Sequence, residues 1–116
     1  IMQLFLQKGY YGGQRYFNAQ TMDKFNRCHF CSKNNRRGVG FDKPQLGDSG
    51  PTCGCLSMTS FGHSGFTGTY AWADPEQELV YVFLANRTYP VAGQNKLLRE
   101  NIRTEIQRLI YESLDE

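Results

Sequence analysis

The sequence predicts an α+β fold. Three observations carry that expectation: a long apolar stripe at helical spacing near the C-terminal end, β-forming runs between residues 60 and 86, and a basic N-terminal third with short helical patterns. The expected architecture is an antiparallel sheet of about three strands with flanking helices and a long C-terminal helix packed on it. With 116 residues, 40% of them apolar, the chain is long enough for one packed core. No internal repeat or low-complexity segment interrupts it.

The first residues, "IMQLFLQKGYYGG", place Ile1, Met2, Leu4, Phe5 and Leu6 in a helical pattern that begins without a capping residue and stops at Gly9. They read as the last turns of a helix whose start is missing, hence as part of a longer protein. After the Gly12-Gly13 turn, "NAQTMDKF" predicts a short helix with Asn18 as its N-cap and with Met22 and Phe25 facing inward. "RRGVGFDKP" predicts a strand in which Val39 and Phe41 alternate with glycines until Pro44 ends it. Residues 45–59 are turn formers with two cysteines, a predicted loop.

A strand is then expected from "SFGHSGFTG" onward, continuing through Thr67 to Trp72 and closing in a tight turn at Asp74-Pro75-Glu76-Gln77. "ELVYVFLAN" follows as a nearly continuous apolar run that suits a central strand covered on both faces. In "NKLLRENIRTEIQRLIYESL", Leu98, Ile102, Ile106, Leu109 and Ile110 recur at helical spacing beneath a charged face, predicting an amphipathic helix of about five turns. Asp74, Glu76 and Glu78 read as solvated hairpin charges.

Charge narrows the partners. Residues 1–44 carry eight Lys/Arg against two Asp/Glu, and residues 45–116 carry five against nine, for a net charge of only +2. The basic residues are scattered without a repeating aromatic stacking pattern, so no nucleic-acid partner is expected. No apolar run is long enough for a membrane span, and no signal-peptide pattern opens the segment.

The stretch "SFGHSGFTG" carries the chemistry. A nucleophile elbow needs glycine two residues on either side of its serine and a helix after it. Gly62 fits around Ser64, but Phe66 occupies the downstream position and no helix pattern follows. Neither glycine-rich phosphate pattern matches. Glycines at 62, 65 and 68 fit either close strand packing or a strand that lets a ligand approach and lends it a backbone N–H.

Taken with "YYGGQRYFNAQTMDKF", "RRGVGFDKP", "DPEQELVYVFLANRTYP" and "NKLLRENI", this stretch resembles the C-terminal part of the serine β-lactamase-like superfamily. Class C β-lactamases, low-molecular-weight penicillin-binding proteins and family VIII esterases belong to that group. The similarity covers nearly all of residues 1–116, which read as one C-terminal fragment: 1–13 the end of a truncated helix and its turn, 14–116 the sheet and C-terminal helix.

The resemblance implies a site made of S-x-x-K with the nucleophilic serine, a Tyr-x-Asn or Ser-x-Asn element, and a K-T-G box on the sheet edge. His63-Ser64-Gly65 stands in the place of the third, with histidine for lysine, which argues against β-lactam hydrolysis. No S-x-x-K occurs, and "YFN" at Tyr16 to Asn18 opens a predicted helix and is not the second motif. By resemblance, His63 donates to a substrate carbonyl or carboxylate or steers protons, an imidazole serving in either protonation state near neutrality. Ser64 Oγ binds the substrate's polar tail, Gly65 keeps that face open, and the Phe66 N–H is one of two oxyanion donors.

Cys28, Cys31, Cys53 and Cys55 form C-x₂-C and, 21 residues later, C-x-C. They fit disulfides joining the first pair to the second, a four-thiolate zinc site, or free buried thiols. Asn86-Arg87-Thr88 matches a glycosylation sequon but reads as a strand-end turn.

Two function classes follow. In the first, a longer parent is a serine hydrolase of an ester, amide or peptide-like substrate, acting through an acyl-enzyme, without a cofactor and in an extracytoplasmic setting such as the periplasm or cell envelope. Residues 1–116 alone are then inactive, because they hold neither nucleophile nor base. In the second, the parent is a non-catalytic binding or accessory module. In either, the sheet is expected to expose an edge that invites self-association.

Overall fold

A computed structural model describes residues 1–47, 49–93 and 95–114; Asp48, in the expected loop, lies outside them. The chain runs through α1 (Met2–Leu6), β1 (Tyr10–Tyr11), β2 (Gln14–Arg15), α2 (Ala19–Asn26), a 3-10 turn at Cys31–Lys33, β3 (Phe61–Ser64), β4 (Tyr70–Asp74), β5 (Leu79–Phe83), α3 (Lys96–Arg99) and α4 (Ile102–Leu114). β3, β4 and β5 form an antiparallel sheet in that order, and β1 and β2 form a separate two-stranded ribbon. Gly12 and Gly13, at φ 59° and 82°, make the two-residue turn of that ribbon, a conformation in which both positions favour glycine. The α+β class and the three-strand sheet of the sequence reading are both present.

Which segments supply those strands differs from expectation. The run from Ser60 to Trp72 is not one strand but two: β3 and β4 pair across a hairpin, with Phe61 opposite Ala73 and Ser64 opposite Tyr70. The reversal happens at Gly65 to Gly68, where the Gly68 N–H donates to the Gly65 carbonyl at 3.0 Å and Gly68 sits at φ 95°. Conversely, the strand expected over "RRGVGFDKP" shrinks to isolated bridges, Arg37 with Asp42 and Asp42 with Gly62. Gly40, at φ 100°, turns the chain back, and the Gly38 N–H meets the Phe41 carbonyl at 2.8 Å.

Register sorts the side chains onto two faces. Gly62, Trp72 and Tyr81 lie abreast on one, as do Ser64, Tyr70 and Phe83; Phe61, Ala73 and Val80, and His63, Ala71 and Val82, share the other. The first face meets α4. Tyr70, Trp72, Tyr81 and Leu56 form the core there with Tyr111 of the helix. Three tyrosine hydroxyls fix the contact: Tyr70 donates to Gln107 Oε1 at 2.8 Å, Tyr81 to the Arg103 carbonyl at 3.2 Å, and Tyr111 to Asp74 Oδ2 at 2.7 Å. The second face is capped at one end by an aromatic cluster, Phe5 of α1 lying 4.9 Å edge-on from Phe41 and Phe41 5.2 Å from Phe61.

The C-terminal helix is broken and rotated relative to the stripe read from sequence. Asn101, at φ 50°, separates α3 from α4. Gln107 and Tyr111 are the buried residues of α4, whereas Ile106 and Leu109 are 36% and 53% exposed. Polar bonds select that face: Gln107 Oε1 also accepts the Cys53 N–H at 3.2 Å. In α2, Asn18 caps as expected, its Oδ1 accepting the Gln20 N–H at 2.9 Å, and Met22 is buried, but Phe25 is largely exposed.

Gly62 is required by close approach rather than by its dihedral angles. A Cβ there would overlap both the Ala71 carbonyl oxygen and the Trp72 ring directly opposite. Gly62→Ala is therefore expected to cost about 3 kcal/mol of stability through forced repacking, measured as a shift in the urea midpoint; an unchanged midpoint would refute the packing account.

Candidate functional site

The predicted site residues fall at the free end of β3, an edge strand. Peptide groups on a strand alternate in direction, and those of Gly62 point outward, where Asp42 takes both: its N–H donates to the Gly62 carbonyl at 2.8 Å and its carbonyl accepts the Gly62 N–H at 3.0 Å. The Gly65 N–H points inward to the Thr69 carbonyl at 2.7 Å. Phe66 follows as the second residue of the Gly65 to Gly68 turn, a position whose N–H a β-turn leaves unbonded. Among the described residues that N–H has no acceptor.

Side chains divide as the register requires. His63 is exposed on the Phe61 face, opposite Ala71, and Ser64 is half-buried on the helix face, opposite Tyr70. Phe66 is 77% exposed, its ring lying under the Arg87 guanidinium at 4.7 Å. Gly65 departs from its expected role. The space a Cβ would occupy there is taken by Thr69 Oγ1, so its lack of a side chain serves the hairpin rather than an open face. Tyr16 is exposed, and Asn18 Oδ1 is occupied by the capping bond.

The cysteines pair locally. Cys28 bonds Cys31 with Cα atoms 5.6 Å apart, and Cys53 bonds Cys55 at 5.3 Å, in place of the expected cross-link between the two pairs. Cys28 and Cys31 flank a turn at His29-Phe30, while Cys53 is tied by its own N–H to Gln107 of α4. Among the described residues no group of three or more His, Cys, Asp or Glu side chains could hold a metal ion.

Two buried charges were missed in the sequence. Asp74, expected to be solvated, is 1% exposed. Burial by itself raises its pKa, but hydrogen bonds from Ser57 Oγ, Tyr111 OH, the Ser57 N–H and the Glu76 N–H outweigh it and hold the carboxyl below its ordinary range. The Glu76 N–H bond, at 3.0 Å, is an Asx turn, and the Asp-Pro dipeptide was its available signal.

Lys43, 5% exposed, donates through Nζ to the Thr59 carbonyl at 3.0 Å and to Asn26 Oδ1 at 3.5 Å. Burial first, then the Arg36 charge, lowers its pKa to about 8, and Asp74 opposes them weakly. An unfolded lysine keeps its proton to about pH 10.4, so between those values the unfolded state binds more protons and stability rises with pH. A gain of about 2 kcal/mol from this group is expected between pH 7.5 and 9.5. It should vanish in Lys43→Met when denaturant midpoints are compared at the two pH values.

β3 is thus an edge strand with exposed His63 near its end, followed by a turn with an unbonded N–H and backed by an antiparallel sheet and a C-terminal helix. Comparison with known proteins bears on the family. A family model described as Beta-lactamase matches residues 15–103. A protein of Escherichia coli (strain K12) named "Putative D-alanyl-D-alanine carboxypeptidase" is 35% identical over 99 residues, covering 83% of this chain and 22% of that relative. Proteins of the same name from Salmonella enteritidis and Salmonella newport are each 34% identical over 95 residues, covering 80% of this chain and 22% of the relative. The chain belongs to the β-lactamase family, within the serine β-lactamase and penicillin-binding-protein-like superfamily. It spans about a fifth of the length of these curated relatives.

Proposed function

We propose that residues 1–116 form one wall of the active site of a serine hydrolase that cleaves a peptide-like amide or an ester through an acyl-enzyme. The observation that carries this reading is the unbonded Phe66 N–H in the turn that follows β3, three residues after exposed His63, in a chain of this family. A serine supplied from outside these residues attacks the substrate carbonyl carbon, and the oxygen that gains the negative charge accepts the Phe66 N–H. Collapse of the tetrahedral species expels the amine or alcohol with a proton, and water then releases the acid and restores the serine.

His63 contacts the substrate carbonyl or carboxylate or carries the proton, and Ser64 Oγ bonds the polar tail. The names of the relatives suggest the substrate: a peptide ending in two D-alanines, losing the last. Two disulfides fit an oxidising compartment, hence an extracytoplasmic location. Among the described residues no helix is long and apolar enough to cross a membrane.

The test is covalent capture. The whole protein is treated with a fluorescent fluorophosphonate, and the labelled peptide is located by mass spectrometry. A label on a serine outside residues 1–116 is the expected result. A label on Ser64 would overturn the assignment of the nucleophile, and no label would favour the non-catalytic module. Alone, residues 1–116 should be inert toward a chromogenic ester, and copies should associate through the outer edge of β5, where Val82 and Leu84 are exposed. A concentration-independent monomer in sedimentation would refute the association.

A further inference from the structure

A second site emerges away from the β3 edge. A cavity of about 470 Å³ opens between α1, α2 and the start of β3, and none of His63 to Phe66 lines it. Its volume lies within the range of small-molecule pockets. Phe5, Leu6, Met22 and Phe61 give it an apolar wall, and Lys43 also lines it, its Nζ 6.0 Å from the centre of the Phe61 ring.

Lys43 is a buried cation whose two hydrogen-bond acceptors are neutral. An ammonium has three protons to place, and among the described residues no carboxylate lies within ion-pair distance of it. The two acids that line the cavity are already engaged: Asp23 pairs with Lys8 at 3.3 Å, and Glu76 Oε1 accepts from Thr59 Oγ1 at 2.9 Å. Arg27 adds a further positive charge to the lining. Buried charges are ordinarily matched by an opposite charge. Among the described residues that match is missing for Lys43, and Lys43 lines a void of ligand size.

We propose that this cavity binds a small amphipathic carboxylate, its anionic head on Lys43 Nζ and its short apolar chain against Phe5, Leu6, Met22 and Phe61. The site is separate from the hydrolytic one and does not depend on it. A carboxylate there supplies the third acceptor and the counter-charge, and the apolar tail displaces water from the aromatic wall.

The probe is hexanoate, titrated into the ¹⁵N-labelled full chain at pH 7. Saturable shifts are expected at the amides of Asn26, Thr59 and Phe61. Hexan-1-ol, with the same tail and no charge, should bind at least tenfold more weakly, as should hexanoate to Lys43→Met. The groups facing Lys43 are Lys8, Asp23 and Arg27 from the α1 and α2 side, Glu76 and Asp74 from the end of β4, and Arg36 from the preceding loop. Lys43, with its pKa lowered to about 8, loses charge as pH rises from 7 to 9, so hexanoate affinity should fall across that interval while hexan-1-ol affinity does not. Absence of saturable shifts, equal affinity for hexan-1-ol, or a flat pH profile would each overturn the site. The last two need no variant, so they decide the matter even if Lys43→Met does not fold.

Discussion

Replacing Asp74 with alanine should cost about 3–5 kcal/mol of folding free energy, because several donors lose their acceptor and each buried donor left unpaired costs about 1–3 kcal/mol. The carboxylate accepts from four groups in three parts of the chain. Ser57 donates its N–H at 2.9 Å and its hydroxyl, Tyr111 its hydroxyl at 2.7 Å, and Glu76 its N–H at 3.0 Å. Truncation removes the acceptor of all four and uncouples the loop before β3 and α4 from the end of β4.

The same site sets an acid limit. Its folded pKa lies below the unfolded value near 3.9, so the unfolded state binds more protons in that window. The contribution is present in full above pH 4 and is lost as pH falls through the folded value. Asp74→Asn should flatten this acid limb. Urea unfolding followed by the fluorescence of Trp72, the single tryptophan, reports both effects. A loss under 1 kcal/mol in the alanine variant, or an acid limb unchanged in the asparagine variant, would refute the role given to Asp74.

Phe66→Pro in the whole protein should lower kcat by about 10²–10³, the range found for removing one oxyanion donor, while Phe66→Ala should change it only slightly. The contrast isolates the backbone. Proline is favoured at the second position of a β-turn, where Phe66 sits, and the lost N–H bonds nothing else among the described residues. The hairpin should therefore survive, with a near-wild-type urea midpoint, as the chemistry fails. Equal loss in the alanine and proline variants would assign the effect to the exposed ring and its Arg87 contact instead.

How much of this was legible from residues varies with the physics behind each element. α2 was readable because Asn18 announces its start, and β5 as a strand because its apolar run has few other uses; its place was not, since the run suggested a central strand covered on both faces and β5 lies at the sheet edge with Val82 exposed. The hairpin between β3 and β4 was hidden, since Gly65 and Gly68 fit a glycine-rich strand as well as a turn until pairing shows which. The buried face of α4 was misread for a different reason. Counting apolar residues pointed to Ile106 and Leu109, whereas the sheet offers tyrosine hydroxyls that select Gln107. His63 to Phe66 were found through their order in a family pattern. Lys43 carries no such pattern; only the fold buries it in the lining of a cavity.

The three tyrosine hydroxyls between sheet and helix have a consequence for how α4 tolerates change. Each reaches a different kind of acceptor, a side-chain amide, a main-chain carbonyl and a carboxylate, at three heights along the interface. An apolar contact is indifferent to small rotations; three directional bonds at separate points are not. Slipping α4 by one residue turns it about 100° and breaks all three together. The interface therefore behaves as a keyed joint, permissive about the grease and strict about the angle.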